Sequence, residues 1–140
     1  MDLGLAGKSV LITGGSRGIG LAVAQTFAAE GCDIHIAGRS KVDLKSAAAK
    51  IGGAVQFHVG DLRIADDLTK LAEACADVDI LVNNAGATPT GRIDEVSIED
   101  WREGLELKVV ATVALTQAIY AKMCERGSGV IINVIGNCGE

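Results

Sequence analysis

The chain has 140 residues, of which 49% are hydrophobic and 22% charged, with 18 glycines and a single proline. A chain of this size buries roughly two-thirds of its unfolded surface, so the composition excludes disorder, collagen and a multidomain machine and predicts one domain over residues 1–140. The formal net charge of −5 argues against a general binder of nucleic acid or of anionic membrane.

That charge is unevenly spread: residues 1–70 carry eight Lys/Arg against seven Asp/Glu, and residues 71–140 carry five against eleven. A phosphate site is therefore expected in the first half.

From the N-terminus, the β-branched run 9–13 ends at Gly14 and Gly15, as a buried strand would. Over 18–30 the apolar residues Ile19, Ala22, Val23, Phe27 and Ala28 recur at helical spacing, and Gly31 stops the helix. The pattern repeats with a strand over 33–37, a helix over 42–51, a strand over 54–59 and a helix over 63–76. Residues 79–83 form a fourth strand, apolar enough to be buried on both faces.

Pro89 lies in a loop running through Gly91, and Ser97 precedes Asp100 at capping-box spacing. A long helix over 98–125 follows, with Trp101, Leu105, Val109, Leu115, Ala118, Ile119 and Met123 as its apolar positions and Arg126-Gly127 as its end. Residues 129–135 make a fifth strand. Strand and helix alternate throughout, which predicts an α/β layered fold with a parallel sheet and right-handed crossovers.

Cys32, Cys75, Cys124 and Cys138 form no C-x-x-C pair, and only His35 and His58 could join them in a cluster, so neither a metal site nor a disulfide framework is expected. The N-terminus lacks a basic region followed by a long apolar stretch, and no eighteen apolar residues run uninterrupted. The chain reads as cytoplasmic with reduced thiols.

The string Thr13-Gly14-Gly15-Ser16-Arg17-Gly18-Ile19-Gly20 falls where the first strand hands over to the first helix. Glycines there let the backbone approach a pyrophosphate while the helix offers free N–H groups and a positive dipole end. The alternative is a tight turn without a ligand. Dinucleotide folds place an acid about twenty residues beyond these glycines, on the ribose 2′-hydroxyl. Here Gly38 is followed by Arg39, Ser40 and Lys41, with no carboxylate at the strand end. A guanidinium in that place favours a 2′-phosphate, hence NADP over NAD, unless Arg39 and Lys41 only solvate a helix start.

These residues resemble the short-chain dehydrogenase/reductase family, over nearly the whole chain. Thr13 to Gly20 matches its T-G-x-x-x-G-I-G motif, Asn83-Asn84-Ala85-Gly86 its N-N-A-G motif, and Asp61-Leu62 the acid-plus-apolar pair after the third strand. The resemblance implies a doubly wound Rossmann-type parallel sheet of order 3-2-1-4-5 with helices on both faces. It further implies that Gly14, Ser16, Arg17, Gly18, Ile19 and Gly20 line the pyrophosphate and that Arg39 and Ser40 meet the 2′-phosphate. Asp61 and Leu62 would touch adenine, and Asn84, Ala85 and Gly86 would run along the ribose. Asn83 is expected to pin neighbouring strands, and Asp61 has the alternative of a helix N-terminal charge.

The catalytic half departs from the family. Members commonly use an Asn in the long helix, a Ser after the fifth strand and a Tyr-x-x-x-Lys pair farther on. Alignment puts Lys108 at the Asn position and Gly136 at the Ser position. The single tyrosine, Tyr120, is followed at the fourth position by Cys124, so it reads as a helix-packing residue. Lys108 either donates to a water or substrate or is a salt-bridged surface lysine, and Cys138 reads as a packed thiol.

The expected function is NADP-dependent hydride transfer between nicotinamide and a small carbonyl or alcohol substrate, with this chain as the cofactor-binding part or a shortened form. The alternative is a catalytically silent dinucleotide-binding protein or subunit; a methyltransferase on a similar fold would leave N-N-A-G unexplained. With only five strands of the family's sheet, 129–135 becomes an uncharged β-branched edge, expected to be covered by a second chain or by residues of a longer parent. The helix over 98–125 offers a second homo-oligomer surface, and its acidic start reads as a solvated face.

Overall fold

Residues 3–136 are described in a computed structural model. The elements follow in the order β1 Ser9–Thr13, α1 Gly18–Ala29, β2 Asp33–Gly38, α2 Lys41–Ile51, β3 Gln56–Val59, α3 Ala65–Ala74, β4 Ile80–Asn83, α4 Ile98–Leu105, α5 Thr112–Arg126 and β5 Val130–Asn133. The strands form one parallel sheet of order β3-β2-β1-β4-β5. That is the order the resemblance implies.

Successive side chains of a strand point to opposite faces, and β1 builds both halves of the core this way. Val10 and Ile12 pack with Ile34, Ile36, Ala24 and Leu44 under α1 and α2. Leu11 packs on the other face with Leu81, Leu71, Leu115 and Ile119 under α3 and α5. All four residues of β4 are buried, whereas β5 leaves Val130 and Ile132 exposed at the sheet edge.

The strands β3, β4 and β5 and the helix α3 are each shorter than the sequence pattern suggests. Two of these margins do other work. Asp79 lies just before β4, where its carboxylate accepts from the Ser9 amide at 2.9 Å and the Ser9 hydroxyl at 3.2 Å. The turn before α3 holds Asp61 against Arg63.

The long helix is not a uniform α-helix. Between α4 and α5, Glu106–Ala111 is π-helical, and the Thr112 hydroxyl donates to the Leu107 carbonyl five residues back. The wider turn shifts the phase of the helix face. Ala111, Leu115, Ile119 and Met123, spaced by four, become the buried seam, while Leu105, Val109 and Ala118, expected on it, are exposed. The reading of Tyr120 is corrected too: it lies one residue beyond the buried Ile119, off the seam, and is 57% exposed rather than packed. The helical run Ile98–Arg126 is long and apolar enough by length and composition to cross a bilayer; most of it is exposed, and Leu115, Ile119 and Met123 pack with Leu11 and Leu81 of the sheet.

Candidate functional site

Parallel strands deliver their C-terminal ends to one rim of the sheet, so the loops after β1, β2, β3, β4 and β5 meet there. They enclose a cleft of about 930 Å³. Of the residues singled out in the sequence, Gly14, Ser16, Arg17, Ile19, Arg39, Ser40, Asp61, Leu62, Asn84, Ala85 and Gly86 line it, together with Lys108 and Gly136. Asn137, Cys138 and Gly139 lie outside the described residues.

Gly18 and Gly20 do not line the cleft; they shape it from behind. Gly18 has φ +54°, a left-handed conformation that turns the chain into α1. A Cβ on Gly20 would lie 2.2 Å from the Gly14 carbonyl oxygen, so only glycine lets the first turn of α1 press against the loop.

Two side chains bind this loop to the end of β4. The Thr13 hydroxyl accepts from the Asn84 and Ala85 amides at 3.0 and 2.9 Å. The Asn84 side-chain amide donates to the carbonyls of Thr13 and Gly14 at 3.0 and 3.2 Å. The Asn84 side-chain amide therefore clamps the glycine loop to its neighbour, while the residue lines the cleft beside Ala85 and Gly86. Thr13 went unnoticed in the sequence except as the motif's first letter; a hydroxyl closing a buried strand was the available signal. Asn83 ties strands as anticipated, donating to the Asn133 side-chain oxygen and to the Thr116 hydroxyl, both at 2.9 Å.

The start of α1 fits an anion. No side chain caps it and no acid stands in its first turn, so its N–H groups and positive dipole end are left to the cleft. Arg17 occupies the N-cap position and Arg39, just after β2, lines the same cleft, and neither forms an ion pair among the described residues. Ser40 caps α2, its hydroxyl oxygen accepting from the Asp43 amide at 3.2 Å, which leaves the hydroxyl proton to donate.

Asp61 reaches the cleft already engaged. Arg63 grips its carboxylate, Nη2 to Oδ2 at 2.6 Å and Nε to Oδ1 at 3.0 Å, and these hydrogen bonds hold the carboxyl below its usual range. Arg63 also reaches Glu103 in α4 at 3.4 Å. Sequence reading missed Arg63, although an arginine two residues beyond the acid was there to see.

Lys108, in the π-helical turn, donates to the Val134 carbonyl at 2.7 Å, so its ammonium joins the helix to the end of β5. The site thus offers donors and cations for a phosphorylated ligand, a carboxylate beside them, and one lysine where β4 and β5 end.

The family profile described as short chain dehydrogenase matches residues 8–140. A 3-oxoacyl-[acyl-carrier-protein] reductase of Chlamydia pneumoniae is 33% identical over 154 aligned positions, covering 100% of this chain and 62% of the relative. A D-threitol dehydrogenase of Mycolicibacterium smegmatis is 34% identical, covering 95% of this chain and 54% of the relative. Among solved structures, L-sorbose reductase from Gluconobacter frateurii, complexed with NADPH and L-sorbose, superposes with a TM-score of 0.87 at 37% identity, covering 95% of this chain and 54% of that one. The chain spans little more than half the length of these proteins.

Proposed function

The chain belongs to the short-chain dehydrogenase family, and on that premise we propose that residues 1–140 form the cofactor-binding unit of an oxidoreductase that uses NADP. The observation that carries the reading is the uncapped start of α1 beside Arg17, in one cleft with Arg39, which follows β2 where a ribose-binding acid would stand. The bound cofactor supplies the hydride chemistry, exchanged with a carbonyl or alcohol of a small-molecule substrate.

In this reading the chain's own groups place and hold. Gly14, Ser16, Arg17 and Ile19 present backbone and side-chain donors to a pyrophosphate, with Gly18 and Gly20 setting the curvature behind them. Arg39 and the Ser40 hydroxyl meet the 2′-phosphate; Asp61 and Leu62 meet the adenine; Asn84, Ala85 and Gly86 border the ribose. Solved relatives described with NADPH or NADP support the preference.

A second reading, a catalytically silent dinucleotide-binding protein or subunit, is favoured by two observations. The Lys108 ammonium is turned to the Val134 carbonyl, and Gly136 brings no hydroxyl to the cleft. Fluorescence titration with NADPH and NADH tests the site: NADPH is expected to bind more tightly, and equal or absent binding of both would overturn the assignment. Reduction of a panel of aldehydes and ketones then separates the readings, because tight binding without turnover selects the silent one.

The same reading places the protein in the cytoplasm as a homo-oligomer. Val109, Val110 and Val113 on the long helix, and Val130 and Ile132 on β5, are the exposed apolar residues it would cover. Sedimentation of the purified chain is expected to show more than one copy; a monomer at high concentration would remove this part.

A further inference from the structure

Outside the cleft, the sheet gathers a second set of chemically capable side chains on its α3 face. His35 on β2, His58 on β3 and Cys75 at the C-cap of α3 are 17, 23 and 40 residues apart in the three pairings. The parallel register opposes Ala37 to His58 and Gln56 to His35, which sets the two histidines diagonally on one face. Their facing nitrogens, His35 Nδ1 and His58 Nε2, are 3.0 Å apart, and Cys75 Sγ lies 3.7 Å from the first and 3.6 Å from the second.

These separations can be compared with those a metal ion imposes. With Zn–N near 2.0–2.1 Å and Zn–S near 2.3 Å, a tetrahedral ion holds two nitrogens about 3.4 Å apart and a sulfur about 3.6 Å from each. Two of the three edges already agree to about 0.1 Å, and the third needs the rings to part by about 0.4 Å and to tilt towards a common point. We propose that His35, His58 and Cys75 form a three-ligand site for a divalent transition metal of the zinc class, clamping the β2–β3 side of the sheet to the end of α3.

The donor set suits such an ion, since two imidazoles and a thiolate match a borderline-soft cation and not calcium or magnesium. Burial lowers the pKa of both imidazoles and pushes the Cys75 thiol up to about 12, so without an ion the sulfur is protonated and it is the metal–sulfur bond that must displace its proton. Of the three, His58 also lines a cavity of about 320 Å³, together with Phe57 and Leu71. Binding exchanges one S–H bond for one metal–sulfur bond and releases one proton to solvent. The proton shared between the facing nitrogens moves to a far ring nitrogen, leaving Nδ1 of His35 and Nε2 of His58 as ligand atoms.

The test is titration of the purified chain with Co²⁺ as a spectroscopic substitute, followed by Zn²⁺. One equivalent of Co²⁺ is expected to give a near-ultraviolet thiolate charge-transfer band and tetrahedral visible bands, and Zn²⁺ to abolish both. Cys75→Ala should lose the charge-transfer band, and a Cys32→Ser/Cys124→Ser variant should keep it. His58→Gln should lower Zn²⁺ affinity by more than the roughly 10–100-fold that losing a supporting partner costs such a site. A saturated wild-type chain without the band, or a band surviving in Cys75→Ala, overturns the proposal. If Cys75→Ala does not fold by circular dichroism, His58→Gln decides: unchanged affinity overturns it.

Discussion

The Lys108 ammonium and the Val134 carbonyl, 2.7 Å apart, join the π-helical turn of the long helix to the end of the edge strand. The stem of Lys108 lies over Gly86, where an added Cβ would come within 2.8 Å of it. The lysine therefore ties three segments at the rim of the cleft: the end of β4, the helix and the end of β5.

Lys108→Met keeps the stem and removes the donor. Leaving a part-buried carbonyl without its partner is expected to cost about 1–3 kcal/mol in urea unfolding. Amide exchange should quicken around β5 more than in β1. An unchanged unfolding midpoint would mean the tie contributes nothing to the fold.

Gly20 and Gly18 should respond differently to alanine. At Gly20 the new Cβ meets the backbone oxygen of Gly14 at 2.2 Å, which no side-chain rotation relieves, and about 1–3 kcal/mol or more is expected. At Gly18 nothing lies within 4 Å, and only the left-handed φ of +54° is penalised, by about 1 kcal/mol. Equal losses for the two variants would contradict the described packing.

Arg39→Ala is expected to weaken NADPH binding about 10- to 100-fold, the value of one or two hydrogen bonds to a charged group, and to leave NADH binding nearly unchanged. Parallel fluorescence titrations of the two cofactors check this. A similar loss for both would place Arg39 away from the 2′-phosphate.

Asp79 sets a pH dependence. The Ser9 amide, chiefly, with the Ser9 hydroxyl and Lys8, holds its carboxyl below the ordinary value of 3.8. Because the folded pKa is depressed, this stabilisation is complete above the unfolded value and disappears as pH falls through the folded one. Asp79→Asn is expected to cost about 1 kcal/mol at pH 7. The gap between wild type and variant should close below pH 3.8, as followed by urea unfolding across an acid series. A gap independent of pH would sink the assignment.

The cofactor cleft was legible in the sequence because each of its walls is a local motif. Gly14 to Gly20, Arg39 with Ser40, Asp61 with Leu62, and Asn84 to Gly86 each follow a strand, and parallel strands bring their ends to one rim whatever lies between. What was not legible depends on the phase of a helix or on pairing across the sheet. The apolar positions of the long helix predicted Leu105 and Val109 in the core, but both are exposed where the helix passes through a six-residue π-helical segment, and Tyr120 is exposed one residue beyond the buried Ile119. Likewise, the partner that occupies Lys108 is fixed by approach in space.

The sequence by itself determined the alternation of elements, the strand order through its family motifs, and the positions of the glycine turn and of Arg39, since all rest on short-range periodicity and backbone permissiveness. Tertiary structure alone decided that Arg63, already beside Asp61 in the chain, also reaches Glu103, that Lys108 faces Val134, and that His35, His58 and Cys75 meet. Those contacts arise from strand register and helix packing, which join residues that spacing along the chain keeps apart.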